Sequence, residues 1–473
     1  MLNLIKNEYA KLFHKKSTYI LLALLLVVII ALPIFSKLLT SSNTYFYSTT
    51  YDDEIHWAKE ADDTVSVEIY TKAKDLEIPV DDFFSEHQNW RVTALNTLYY
   101  DYWYYAYNPD SSDSFDEESK KKYANLFDEG IKYVENNDWK GYCQFEINII
   151  KDSSEFSDIE KENMTYKYQY MLDNNIEPGT GKWQEDALEL YTANKSTYDT
   201  LLEAKNNGDY YDEKQFADAE SSMLIAKYRL DNNISAVIYE GSEEETMYST
   251  DKYIYTGKLY NNMKNGVGLL VVVLIIIIVA AGNIISKEFS QGTIKFLLIN
   301  PVKRSKIFWS KYITIFSFAL ALTFATFILE SIMSIIVFGT AEIGTELLLV
   351  EGGKIVAHSG ILFIFGRFML AFVELLVAFT IAFMISSLFR NSALAIALSM
   401  IIYFVGTTVC DVASMFNLDF FRYTIFATQN MTSIVDGKSS FIHMTPTFAS
   451  VVIAIHLVLL LLTAHDAFTK KNV

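Results

Sequence analysis

The sequence predicts an all-α polytopic membrane protein: six transmembrane helices with a large, mainly helical extracellular domain between spans one and two. Three observations carry this. Apolar residues are gathered into blocks: residues 20–32 hold 13 positions without a charge and continue apolar to Phe35, and residues 266–285 hold 20 more. Such runs match a hydrocarbon core that needs roughly 20 residues of helix to cross. Charge is divided as sharply. Residues 40–262 carry 46 Asp or Glu against 20 Lys or Arg, a net charge of −26, whereas the whole chain is −18 and the remainder therefore +8. Finally, the basic residues cluster at the ends of alternate apolar blocks, the pattern of a chain whose loops face two compartments.

The first 17 residues set Lys6, Lys11, Lys15 and Lys16 against Glu8, with Leu4, Ile5, Leu12 and Phe13 spaced to form an apolar face. This reads as a helix lying on the inner membrane surface. The basic stretch before an apolar run resembles a secretory signal, but the run is long and lacks a small-x-small site, so an uncleaved first span is expected over 18–39. Pro33 is expected to kink its outer part. Lysines before the span place the N-terminus in the cytoplasm.

Residues 40–262 then lie outside, 223 residues long and able to hold a core of their own. Apolar residues at three- and four-residue spacings predict helices over 117–135, 182–205 and 214–230, and 89–107 is rich in Trp and Tyr. Turns are marked by Pro178-Gly179-Thr180-Gly181 and Asn206-Asn207-Gly208-Asp209. The string Tyr-Met-Leu-Asp-Asn-Asn-Ile at 170–176 returns as Tyr-Arg-Leu-Asp-Asn-Asn-Ile at 228–234; both copies close a helical pattern and read as matching helix ends.

Span two is expected over 266–285, span three over 312–338, span four over 361–388, span five over 394–412 and span six over 448–464. Between spans two and three stand Lys287, Lys295, Lys303, Arg304, Lys306 and Lys311 against Glu288 alone, a cytoplasmic balance. Arg390 and Lys470-Lys471 fall on the same side, so both termini are inside. The expected domains are 1–39, 40–262 and 263–473.

Charges within spans are costly and suggest function; Glu330, Arg367 and Glu374 are the candidates. Arg367 and Glu374 stand two helical turns apart on one face. The plainer alternatives are that Arg367 snorkels outward, Glu374 pairs within the bundle and Glu330 reaches headgroups. No Gly-x-x-x-x-Gly-Lys-Ser/Thr loop or His-Glu-x-x-His occurs, and Cys143 and Cys410 give neither a disulfide framework nor a metal site. No catalytic residue, directly bound cofactor or metal is expected, and the acidic segment argues against nucleic acid as a partner.

The most informative stretch reads ISKEFSQGTIKFLLINPVKRSKIFWSK over 285–311. Its Glu288, Gly292, Thr293, Leu297, Leu298, Pro301, Arg304 and Lys311 resemble, position by position, the signature of the membrane subunits of type-2 ABC exporters, the ABC-2 permease family. The N-terminal NLIKNEYAKLFHKKSTYI and the basic tail resemble that family too. The resemblance implies a coupling helix over 289–300, beginning at Phe289 and fixed by Glu288, that meets a cytoplasmic ABC ATPase subunit. ATP and Mg would be bound there, not here. It also implies a second permease subunit, identical or related, and location in a bacterial plasma membrane. The 223-residue insertion resembles the subfamily linked to peptide and antimicrobial-resistance export in Gram-positive bacteria, so a cationic or amphipathic peptide is the expected substrate. Tyr99, Tyr100, Tyr102, Trp103, Tyr104 and Tyr105 are candidates to hold it, unless they form the domain's core. Two other readings stand: a sensor or immunity module that captures antimicrobial peptides at the cell surface, and an anchored ectoenzyme.

Overall fold

Runs of Leu, Ile, Val and Phe become continuous helices because every backbone polar group is then bonded within its own segment, as a bilayer requires. In a computed structural model, which describes residues 1–41, 50–85, 88–108, 116–241, 252–292, 302–389 and 391–470, six helices are long and apolar enough to cross a membrane. They are Lys16–Leu39, Lys258–Ile284, Arg304–Phe338, Gly360–Leu388, Ser392–Met415 and Pro446–Lys470, spans one to six. The helix of span one runs through Pro33. Spans two and three begin eight residues before the apolar windows do, because their first turns carry Asn262, Lys264, Arg304, Lys306 and Lys311, which hydropathy assigns to loops.

The chain divides into two compact units. The bundle unit holds Met1–Leu39, Ala236–Leu347 and Ala357–Val473. Contacts sort its span ends into two sets. Lys311 at the start of span three bonds Ile284 O at the end of span two, Ser386 near the end of span four bonds the Ile285 and Ser286 amides, and Arg304 bonds Thr469 O at the end of span six. At the other set, Lys37 of span one donates to Val337 O of span three, and Asn262 of span two reaches Glu330 and Ser334. The spans therefore alternate in direction. The bundle unit also holds strands β1 (Val237–Glu240) and β2 (Tyr253–Tyr255), antiparallel with Ile238 opposite Tyr255.

The second unit is Thr40–Ser235 with 348–356, and it is mostly helical between spans one and two. Six of its acids close helix N-termini: Asp63, Asp116, Asp138 and Asp212 each accept a backbone N–H of the following turn, and Thr50 and Ser157 form capping boxes with Asp53 and Glu160. One core gathers Ile69, Trp90, Leu95, Leu98, Val134 and Phe145, among others; a second gathers Met171, Leu188, Tyr191 and Leu230. The repeated strings are helix ends of one design. Asn175 and Asn233 adopt φ of 52° and 53°, Ile176 and Ile234 donate back to Met171 O and Arg229 O at 2.9 Å, and Asn174 and Asn232 side chains bond Tyr170 O and Tyr228 O. Of the aromatic group at 99–105, Tyr99 is buried and Tyr102, Trp103 and Tyr104 pack against the first core; Tyr100 stays exposed. The group is core before it is a surface. Strands β3 (Glu346–Glu351) and β4 (Lys354–Ser359) are joined by Gly352-Gly353, both at positive φ, as a type I′ hairpin turn demands.

Candidate functional site

The N-terminal helix Leu2–Phe13 buries Glu8 and Leu12. Phe13 stacks edge-on against Phe318, and Tyr9 shares a hydrogen bond with Ser317, so the helix lies along the first half of span three. Its one acid then faces Lys311, which is wholly buried. Lys311 Nζ donates to Glu8 Oε2 at 2.7 Å, to Glu288 Oε1 at 2.7 Å and to Ile284 O at 3.2 Å. Lys11 Nζ donates to Glu8 Oε1 at 3.1 Å and to Glu288 Oε1 at 2.8 Å. The four side chains close a ring of alternating charge, neutral in sum, joining the N-terminal helix, the short helix Ser286–Ser290 and the foot of span three.

Electrostatics follow from that ring. Burial opposes the Glu288 carboxylate, but the charge of Lys311 and the hydrogen bonds from Lys11 and Lys311 outweigh it and hold its pKa below the usual range. Burial likewise opposes the Lys11 ammonium, and the bond to Glu288 with the charges of Glu8 and Glu288 raises its pKa nonetheless. Lys15 lies beside the ring and pairs with no acid among the described residues: burial, then the charges of Lys287 and Lys311, lower its pKa. Such a ring can hold three segments as one block, since removing its buried centre, Lys311, leaves two buried carboxylates to share one half-exposed ammonium.

Of the residues singled out between spans two and three, Glu288 and Lys311 meet directly. Phe289 is half-buried beside them. Arg304 Nη1 donates to Thr469 O at 3.0 Å, and His465 bonds Ser305, tying span three to the end of span six. Gly292 has φ of +71°, and a Cβ there would meet nothing within 4 Å among the described residues, so the glycine serves a left-handed turn and makes no close contact with them. Thr293, Leu297, Leu298 and Pro301, with most of the expected 289–300 helix, lie outside the described residues, as do Arg390 and Lys471. Glu8 and Lys11 were visible in the sequence only as a charge count. Their signal was a lone acid among lysines on the apolar side of a helix.

The intramembrane candidates each find a partner on another segment. Glu330, 1% exposed, accepts from Asn262 Nδ2 at 2.9 Å and Ser334 Oγ at 3.3 Å. It is held there by the absence of a side chain at Gly266, where a Cβ would stand 2.4 Å from Glu330 Cγ. Arg367 does not snorkel: it is buried, 2.7 Å from Asp436 Oδ1, with its guanidinium over the Tyr253 and Phe363 rings. Glu374 accepts from Tyr403 OH at 2.7 Å. Asp436, Asn262 and Tyr403 carried no sequence signal of their own, being ordinary residues placed by the fold. Among the described residues, no group of three or more His, Cys, Asp or Glu could hold a metal ion, and Cys143 and Cys410 are buried and free.

Residues 233–473 match the family described as "Protein of unknown function (DUF2705)". The chain is 32% identical over 257 residues to "Uncharacterized protein YhcI" of Bacillus subtilis (strain 168), a match covering 54% of this chain and 76% of that one. It is 31% identical over 195 residues to "Uncharacterized membrane protein YdbK" of the same organism, covering 41% and 74%. No solved structure matches. The matched family region begins at Asn233, where the last helix of the second unit has just ended, and contains Glu288, Lys311 and all three intramembrane candidates. With its six apolar spans and these bacterial relatives, the chain is a multi-span membrane protein of general permease architecture and belongs to the DUF2705 family.

Proposed function

We propose that the chain is the permease subunit of an ATP-driven ABC exporter, coupled through residues 286–301 to a cytoplasmic ATPase subunit that binds ATP and Mg. The supporting observation is the closed ring of Glu8, Lys11, Glu288 and Lys311. A push on the segment after Glu288 would reach span three and the N-terminal helix together, because the ring ties all three. The resemblance of 285–311 to the ABC-2 signature supports the same reading, with a second permease subunit completing the path. A cationic or amphipathic peptide remains the proposed cargo on the strength of the −26 charge over 40–262, which would steer cations toward it. The aromatic residues at 99–105 lend that cargo little support, since all but Tyr100 are wholly or partly buried.

The test is to purify the tagged full chain from native membranes in mild detergent and identify what accompanies it. An ATPase subunit and ATP hydrolysis are expected. Gln291, exposed at the described end of the segment, is the position to change: Gln291→Trp should leave the permease folded and abolish ATPase association. Gly292 is a poorer choice, because any side chain there strains the turn. Recovery of a histidine kinase and no ATPase would favour the sensor reading, and full hydrolysis by the Gln291→Trp complex would remove the segment from the coupling path.

A further inference from the structure

We propose that a cavity in the bundle unit, between spans four and five and the chain that follows span five, binds a small organic cation, a protonated amine on a compact apolar body. The cavity measures about 280 Å³. That is just under the roughly 300 Å³ at which small-molecule pockets usually begin, so only a small ligand fits. Its existence follows from close packing of span five with the short helix Ile425–Thr428. Gly406 makes this possible, since a Cβ there would come within 2.6 Å of the Phe426 ring. The chain then turns through Gln429 and Asn430 into the helix Met431–Val435, and the space left between these pieces is the cavity.

Four features of its lining select the ligand. Glu374 presents a carboxylate fixed by Tyr403, the one hydrogen-bond donor it meets among the described residues; its other oxygen is available to a ligand. Gln429, 2% exposed, lines the same cavity, and its Oε1 has no hydrogen-bond partner among the described residues. A buried amide oxygen without a donor is costly, and an N–H group satisfies it. Charge gives the sign: Glu374 and Asp411 stand against Lys438, a net charge of −1. Phe404, Phe426 and Phe441 complete the wall. Aromatic faces hold an apolar body and attract an ammonium group. An ammonium with several N–H donors therefore fits where a carboxylate or phosphate would meet like charge.

The assay contains the permease alone, without an ATPase, so its outcome is independent of the export reading. The purified full chain in lipid nanodiscs is dialysed against labelled phenethylamine, with phenethyl alcohol and phenylacetate as neutral and anionic counterparts and empty nanodiscs as the partition control. Saturable binding of the amine is expected, weaker for the alcohol and absent for the acid. Glu374→Gln keeps an acceptor for Tyr403 but loses the charge, and should weaken the amine about tenfold while leaving the alcohol unchanged. Gln429→Leu should weaken the amine severalfold. Should either variant fail to fold, Lys438→Met gives the opposite sign: it makes the cavity more negative and should tighten amine binding. Absence of saturable binding to the folded wild-type chain, equal binding of all three probes, or indifference to every folded variant would overturn the assignment.

Discussion

Lys311 is the residue on which most rests. Its ammonium is completely buried and its two carboxylate partners nearly so, whereas the Lys11 side chain is 50% exposed. The two lysines make the same kind of ion pair with very different consequences. Lys311→Met leaves two buried carboxylates with only the half-exposed Lys11 ammonium between them and should cost about 3–5 kcal/mol. Lys11→Met should cost under about 1 kcal/mol, because solvent screens the pair already. Thermal unfolding of the detergent-purified chain measures both, and equal losses would refute the ring as drawn. A pH dependence follows from the shifts. The folded state depresses the Glu288 carboxyl, so its contribution is complete above the usual carboxylate pKa, about 4.3, and is lost as pH falls through the lower folded value. Lys11 is raised, so its contribution persists below about 10.4 and is lost as pH rises through the folded value. Wild type should therefore lose melting temperature on acidification more steeply than Glu288→Gln, which has no such group to protonate. Glu288 and Lys311 were legible in the sequence because they stand 23 residues apart within one motif. Glu8 was not, because its partner is 303 residues away and only the folded bundle brings them together.

At the scale of elements, the apolar blocks gave six spans and their order, and the paired Asn-Asn-Ile strings gave two helix ends, because both signals are local. The misplaced starts of spans two and three have one cause. Polar residues at a helix start read as loop until a partner is known, and here Asn262 answers Glu330 as Lys311 answers Glu8 and Glu288. The strands β3 and β4 were not legible for another reason: each is six residues long without strict alternation of apolar and polar residues, ELLLVE being a continuous apolar run between two acids. Gly266 offers a test of the span two and span three contact. Small residues let membrane helices approach closely, and Gly266→Ala would press a methyl group into Glu330 Cγ. Overpacking of this kind costs about 1–3 kcal/mol. Gly268 has open space around it, so Gly268→Ala should be nearly neutral, and a matched pair of unfolding curves separates the two.

For the whole molecule the question is which compartment each set of span ends faces. Contacts group the N-terminal helix, residues 284–292, the start of span three and the end of span six at one end of the bundle. That end carries Lys6, Lys11, Lys15, Lys16, Lys287, Lys303, Arg304, Lys306 and Lys470, against Glu8, Glu288 and Asp466. Positive charge is retained in the cytoplasm during insertion, so this end is expected inside. Spans one and two meet span three from the opposite end, through Lys37 with Val337 and Asn262 with Glu330, so the chain between them leaves and returns there. An acidic segment of −26 would then be exported whole, as long loops can be regardless of their charge. Cysteine labelling decides it. In a background lacking Cys143 and Cys410, Tyr210→Cys places a thiol at a position 94% exposed, and Ser290→Cys places one at an exposed site of the basic end. A membrane-impermeant maleimide applied to intact cells should modify the first and reach the second only after the membrane is opened. Labelling of Ser290→Cys alone in intact cells would invert the topology. It would put residues 286–301 out of reach of any cytoplasmic ATPase and leave the ionic ring as an internal brace rather than a coupling device, while the amine cavity, which depends only on spans four and five and their neighbours, would stand.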